Sequence, residues 1–346
     1  MFCVQVPQSR GASHQRLQGG ERTLSDFRSW VERVAKSTAS SPEKEILLLY
    51  TSDDYVGIAV NCAKSLTRLG VENVGILVVS DIMEQFLQSH NLSAFNVASL
   101  ADIPADIRLD FVKHWNDTSR MPAGWSSRFT LPTRWRHWML RHYLTLVTLK
   151  MGVGVFQSDV DVIFMQDPYN WVDGSIFDIE AQTQNFPSLE NFNLGIGHVS
   201  PTFGGVLHWE TTNNLMRYLG QDPQSLENTL LFDRLSNLLG SWESRPCRVD
   251  SKFTCQTLHT PFLTARKWNA FVFPHTFELE SKLKPLGMLD ASGMPKECIG
   301  IHMHVKSGPA TGHYKTLTYK EWAQEHNLWF ISPKVEKRYE EILKKK

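Results

Sequence analysis

The chain has no run approaching the roughly 20 apolar residues that a membrane-spanning helix needs. It also has no excess of charge, because Lys+Arg and Asp+Glu both number 36. A neutral chain argues against nucleic acid as the main partner, since binding a phosphate backbone needs a clear basic surplus. Cysteine is scarce. The five are Cys3, Cys62, Cys247, Cys255 and Cys298, and no two form Cys-x-x-Cys, which argues against a zinc site of that type. The odd total leaves at least one thiol free. Cys247 and Cys255 are close enough in sequence to pair in an oxidising compartment, and the redox compartment stays open. The opening Met1–Pro7 is too short and too soon polar for a signal peptide. Membrane association is therefore expected only through an anchor outside this chain. No internal repeat is visible.

What is present suffices for a large core: 346 residues, 42% of them hydrophobic. The eleven Trp exceed ordinary usage. Most are expected to fill the core, although flat aromatic faces also line clefts that take pyranose rings. Two sequons, Asn91-Leu92-Ser93 and Asn116-Asp117-Thr118, lean towards a secretory lumen.

Residues 1–22 are polar and read as a disordered lead-in. Leu24, Phe27, Val31 and Val34 have helical spacing, with Ser25 or Thr23 as cap, and Ser40-Ser41-Pro42 breaks the pattern. Ile46–Tyr50 reads as a buried strand followed by a polar loop at Thr51–Tyr55, and Gly75–Asp81 as a second buried strand ending in an acidic turn. Helical spacing follows each: residues 55–69, stopped by Gly70, and Ile82–His90. Strands that are apolar throughout and alternate with helices predict a parallel α/β sheet, with ligands beyond the carboxyl ends of the strands. Residues 101–133 look irregular. A helix is expected over Trp135–Met151, ended by Gly152. Residues 181–210 alternate polar loops with short apolar pieces, Leu226–Leu239 reads as a helix, and 241–300 as short strands and turns. Ile299–Gly308 reads as a late strand running into a His-rich loop. Leu317–Leu328 and Pro333–Lys346 look helical.

The segment most informative about chemistry is Val153–Pro168. An apolar run delivers Asp159 and Asp161, the only Asp-x-Asp in the chain, and a second apolar run closes on Asp167-Pro168. Two carboxylates on one strand end point the same way, because side chains repeat every second residue. They can hold Mn²⁺ or Mg²⁺ against a diphosphate, or simply cap the next element. His302, His304 and Lys306 alternate along an extended segment. One imidazole could be a third metal ligand and Lys306 a phosphate contact, or the strand could carry ordinary surface residues. Asn193 and Gly195 suit a close approach to sugar hydroxyls, or a simple turn. One of Arg134, Arg136 and Arg141 can face the cleft, with the other two expected in solvent.

Together these segments resemble the nucleotide-diphospho-sugar transferases of glycosyltransferase family 77, a branch of the GT-A fold. Gly152–Tyr169 is similar to that family's G-x-x-V-x-x-x-D-V-D-V-x-x-x-x-D-P core, and the other pieces match by their order along residues 45–325. The resemblance implies a GT-A-like, Rossmann-related, mostly parallel sheet flanked by helices in a single large domain. That domain would cover 45–325, after a helix and linker at 23–44 and before a charged C-terminal helix at 326–346. It implies a metal-dependent retaining transferase that moves a sugar from a nucleotide-diphosphate donor, UDP-linked by family preference, to a glycan or glycoprotein acceptor in the Golgi or another secretory lumen. Asp159 would contact ribose and metal, and Asp161 would ligate the metal. His302 would be the late ligand, with His304 as its substitute. Thr51, Asp53 and Tyr55 would form the nucleotide edge; beside what the resemblance implies, Arg141 and Lys306 are the basic residues expected at the nucleotide-sugar site. Asn193 and Gly195 would border the donor sugar. The family often carries Asp-Gln where this chain has Glu227-Asn228: Glu227 keeps the acid, and is a catalytic candidate beside Asp159 and Asp161, and Asn228 keeps the amide. That departure bears on donor contacts and so on which sugar is carried.

Two rivals follow from the same residues. A phosphatase of the haloacid dehalogenase type also uses Asp-x-Asp after a strand, but it needs a later Gly-Asp-x-x-x-Asp, which is missing after Asp161. A non-catalytic nucleotide-sugar or glycan-binding scaffold would keep the fold without turnover.

Overall fold

Successive residues of Lys44–Tyr50 face two different cores. Ile46 and Leu48 pack with Phe27, Trp30, Leu140 and Leu144, whereas Leu47 and Leu49 pack with Ile58, Cys62, Phe156 and Ile196. A strand covered on both faces must be apolar at every position, hence the unbroken run in the sequence. The computed structural model describes residues 21–38, 41, 43–105, 107, 132–183, 192–219, 240–247, 253–303 and 312–344.

In chain order the main elements are α1 (Leu24–Val34), β1 (Lys36–Ser37), β2 (Lys44–Tyr50), α2 (Val56–Arg68), β3 (Val74–Val78), α3 (Asp81–Gln88) and β4 (Ser93–Asn96). Then come α4 (Pro132–Lys150), β5 (Gly154–Ser158), β6 (Val162–Phe164), β7 (Ile179–Thr183), β8 (Phe192–Val199) and α5 (Phe203–Leu219). The last are β9 (Glu243–Pro246), β10 (Thr254–His259), β11 (Thr264–Trp268), β12 (Gly300–His302), α6 (Gly312–Glu325) and α7 (Pro333–Leu343). Among the described residues the large sheet has the order β4-β3-β2-β5-β8-β7-β11-β10-β9, with β1 paired to β2. The β4-β3-β2-β5 half is parallel, β8 runs antiparallel between β5 and β7, and β11 returns parallel to β7. This is the expected α/β architecture: a mixed, mostly parallel central sheet flanked by helices, in one domain.

Local signals explain most boundaries. Thr23 caps α1 in a capping box: its hydroxyl accepts from the Asp26 N–H, and the Asp26 carboxylate accepts from the Thr23 N–H at 2.8 Å. Gly70, at φ 82°, ends the turn after α2. Ser80 caps α3, and Ser332 with Pro333 starts α7. Both terminal helices join the cores: Phe27 and Trp30 of α1 meet Phe95, and Tyr339 of α7 lies against Gly57 of α2.

Three expectations differ from the structure. The 181–210 stretch ends in the first half of α5, a regular helix hidden in the sequence by Gly204 and Gly205 at its start. A Cβ on Gly204 would sit 2.6 Å from the Phe262 carbonyl and from an Asp178 carboxylate oxygen, so close packing demands glycine there. Asp159 and Asp161 do not share a strand, because β5 ends at Ser158 and β6 begins at Val162. Arg136 is buried rather than solvated. The helix expected over Leu226–Leu239 and most of the irregular 101–133 region lie outside the described residues, as do residues 304–308 of the late strand.

Candidate functional site

The site sits at the carboxyl edge of the parallel half-sheet. Leu49 of β2 and Ser158 of β5 are register partners, so the loop after Tyr50 and the turn after Ser158 emerge side by side. β5 stops at Ser158. Asp159, Val160 and Asp161 form a turn, and β6 then leaves the large sheet to pair with β12 in a separate antiparallel ribbon. The two carboxylates converge because the chain turns between two sheets, not because a single strand repeats every second residue. The same ribbon supplies the third group. His302 is the register partner of Val162, and the Met303 N–H donates to the Asp161 carbonyl at 2.8 Å. His302 Nε2 lies 3.2 Å from Asp161 Oδ1. One ligand atom each from Asp159, Asp161 and His302 falls within 4.8 Å of the other two. Asp161 and His302 are buried, and Asp159 is half-buried.

Arg141 reaches this turn from α4. Nine residues of helix separate it from the end of α4, roughly 14 Å of rise. The five residues of β5 climb back roughly 16 Å in the opposite direction. The guanidinium therefore stands level with the turn. Its Nη1 donates to Asp159 Oδ1 at 2.8 Å and its Nη2 to the Gly195 carbonyl at 3.3 Å. Gly195 also accepts the Asp159 N–H at 2.6 Å, so β8 fixes both the backbone and the side chain of the first aspartate. Two carboxylates and the His302 imidazole thus meet at one point, with one guanidinium beside them. Adjacent ligands of an octahedral cation held at about 2.1 Å stand about 3 Å apart, close to the Asp161–His302 separation. Two carboxylates with one imidazole are a donor set that could hold a divalent cation.

The neighbouring loop carries the other expected residues. Thr51 is buried, and its hydroxyl donates to the Ser52 carbonyl at 2.9 Å. Asp53 accepts from the Ser80 hydroxyl at 2.9 Å, which ties the ends of β2 and β3 together. Tyr55 is half-buried against the core beneath the loop. Thus Thr51, Asp53, Tyr55, Arg141, Asp159, Asp161, Gly195 and His302 occupy one edge of the sheet. Asn193 lies on β8 with its side chain outside the described residues. Glu227, Asn228, His304 and Lys306 fall wholly outside them.

The structure adds residues the sequence did not single out. Tyr50, at the end of β2, hydrogen-bonds His137 Nδ1 at 2.6 Å, and burial lowers the pKa of His137 to about 4. Cys62, buried on α2, is pushed well above the usual thiol range by burial first and then by the Asp161 and Asp159 carboxylates. It stays protonated and is no nucleophile. Next to it, Asn61 holds the C-terminal segment through Tyr319, Leu328 and Phe330. A lone polar residue inside the apolar face of α2 was the available signal for Asn61. The ring of His275 lies on that of His302.

No protein-family model matches the chain. Arabinosyltransferase RRA1 of Arabidopsis thaliana is 22% identical over 249 residues, covering 65% of this chain and 56% of that protein. The chain thus spans little more than half the length of this curated relative. Among solved structures, galactosyltransferase LgtC, crystallised with donor and acceptor sugar analogues, aligns with 85% of this chain and 99% of its own at a TM-score of 0.44 and 12% identity. The glycosyltransferase GlyE of Streptococcus pneumoniae TIGR4 aligns with 87% of this chain and 63% of its own, also at a TM-score of 0.44 and 12% identity. Structural likeness at this level is weak. The sequence relative is itself a sugar transferase, in keeping with the resemblance to nucleotide-diphospho-sugar transferases.

Proposed function

We propose that this chain is a metal-dependent glycosyltransferase of the GT-A type. It would transfer a sugar from a nucleotide-diphosphate donor, with UDP as the carrier, to a glycan or glycoprotein acceptor. The observation that carries the reading is the convergence of Asp159, Asp161 and His302 at the edge of the sheet where ligands of α/β proteins bind.

Asp159, Asp161 and His302 would hold Mn²⁺ or Mg²⁺, which when bound supplies positive charge that offsets the departing diphosphate. Arg141 orients Asp159 and adds a fixed cation on the side facing Gly195. Asp53 and Tyr55 would border the nucleotide, with Thr51 shaping the loop beneath. Asn193 and Gly195 would border the donor sugar together with Glu227 and Asn228, Lys306 would hold phosphate, and His304 would stand in for His302 as metal ligand. Retention of anomeric configuration is the outcome in keeping with the family resemblance. A front-face course, in which the leaving phosphate takes the acceptor's proton, needs no protein nucleophile. The Cys247–Cys255 disulfide favours an oxidising setting and so supports a secretory lumen, the Golgi among them. Among the described residues no helix is long and apolar enough to cross a membrane.

The test is UDP binding by calorimetry, with and without Mn²⁺, on the wild type and Asp161→Asn. Binding that requires Mn²⁺ and disappears in the variant supports the reading and justifies a donor screen. Equal, weak binding in all four samples would sink it and direct attention to phosphatase assays.

A further inference from the structure

Of the three groups at the candidate metal centre, His302 is the only one whose backbone lies outside the Asp159–Asp161 turn. Two segments position it. β6 holds one side, and residues 272–275 hold the other. The Ile299 N–H donates to the Val272 carbonyl at 2.8 Å, and the His302 N–H to the Pro274 carbonyl at 3.0 Å. His275 and His302 form an isolated parallel bridge. The His275 N–H in turn donates to Glu278 Oε2 at 3.0 Å, and the other oxygen of this buried carboxylate pairs with Lys282 at 2.8 Å. These bonds fix where the His302 backbone stands. They do not fix its ring, because the outer torsion of a histidine is broad and roughly two-fold. What lies on the ring is another ring: the imidazoles of His275 and His302 are stacked, with centroids 4.6 Å apart and planes 28° from parallel.

We propose that His275 is a positioning residue that holds the His302 imidazole in the orientation which presents Nε2 beside Asp161. The inference rests on the metal-centre reading above and deepens it. His275 is not offered as a ligand. Among the described residues, the group whose ligand atoms converge within 4.8 Å contains Asp159, Asp161 and His302 without it. Its contribution is the flat face that removes the freedom of the His302 ring before a cation arrives. Partners that orient a metal-binding histidine typically contribute 10–100-fold to metal affinity, and the stack does by packing what a hydrogen-bonded carboxylate does elsewhere.

The test is binding of Mn²⁺ alone, by calorimetry and by electron paramagnetic resonance of the free ion. The proteins are the wild type, His275→Ala, His275→Leu and His275→Phe, with the thermal midpoint of each measured without metal. Loss of Mn²⁺ affinity by about tenfold or more is expected in the Ala and Leu variants. Phe keeps a flat ring without a ligand atom and is expected to restore binding to within about threefold of wild type. The Leu variant fills the space if Ala does not fold. Wild-type affinity in both Ala and Leu would overturn the positioning role, and so would a Phe variant as weak as Leu, which would make His275 a ligand. A wild type that binds no Mn²⁺ would overturn the metal-centre reading itself, a result distinct from any pattern among the variants.

Discussion

Arg141 and Asp159 form an ion pair at 2.8 Å, and the same guanidinium bonds the Gly195 carbonyl that anchors the Asp159 backbone. The pair has opposite consequences for the two ligands proposed here. Towards a bare cation the guanidinium is a like charge. Towards a diphosphate it is an attractive, fork-shaped donor. Arg141→Met is therefore expected to bind Mn²⁺ no more weakly than the wild type. Its affinity for UDP in the presence of Mn²⁺ is expected to fall about tenfold, or ~1.4 kcal/mol. Calorimetry with each ligand in turn checks both halves. A drop in Mn²⁺ affinity would mean that orienting Asp159 outweighs the repulsion.

Asn61 joins parts of the chain more than 250 residues apart. Fully buried on α2, it donates to the Tyr319 hydroxyl and the Leu328 carbonyl, both at 3.0 Å, and accepts the Phe330 N–H at 2.7 Å. Asn61→Leu keeps the volume but leaves the Leu328 carbonyl and the Phe330 N–H without this partner in the interior. The expected loss is about 2–4 kcal/mol of stability. Urea unfolding followed by tryptophan fluorescence measures it. A loss below about 1 kcal/mol would show that water or a backbone shift replaces the amide.

How much of this could be read in advance depended on how local each determinant is. β2, β3, α2 and α4 were legible because each is a short periodic or unbroken apolar segment closed by its own turn residue, such as Gly70 or Gly152. Asp159, Asp161 and His302 were legible as types in a pattern. The reason they meet was not, because it depends on β6 leaving the sheet to pair with a strand some 140 residues later. The antiparallel insertion of β8 between β5 and β7 is likewise a long-range pairing with no local signature. α5 was missed because its first turn carries two glycines that tertiary crowding requires and helix propensity disfavours. His275 had no signal at all: a histidine after a proline takes on meaning only when another histidine is found beneath it.

Cys247, the residue after β9, forms a disulfide with Cys255 of β10, and the two strands are already paired in an antiparallel register. The bond closes a short loop, so loop-closure entropy sets its effect at about 2–3 kcal/mol. Cys247→Ser/Cys255→Ser is expected to unfold at lower urea by that amount with its Mn²⁺ affinity intact, because β9 and β10 lie at the edge of the sheet farthest from β4, with β11, β7 and β8 between them and β5. Thiol labelling of the wild type should find the pair blocked, and reduction should reproduce the double variant's stability. Free thiols at both positions in protein purified from a secretory lumen would contradict the pairing and remove its support for that compartment.

His142 supplies a pH dependence whose sign is fixed by its surroundings. Its imidazole is buried and stacked on Trp209, with centroids 4.9 Å apart. Burial, and then the charge of Arg141, lowers its pKa to about 3, against an ordinary value of 6.5. The unfolded chain therefore takes up a proton as the pH falls through 6.5, while the folded protein does not until near pH 3. No stability is lost to this group above pH 6.5. Below that, folding is disfavoured by ~1.4 kcal/mol per pH unit down to the folded pKa. His137, lowered to about 4 by burial, adds a second contribution of the same sign over a narrower window. His142→Phe keeps a flat ring against Trp209 and removes only the first. Between pH 6.5 and 5 the wild type is therefore expected to lose about 2 kcal/mol more than the variant in urea unfolding. Parallel losses in the two proteins would show that His142 takes up its proton in the folded state at ordinary pH, which would require water at Trp209.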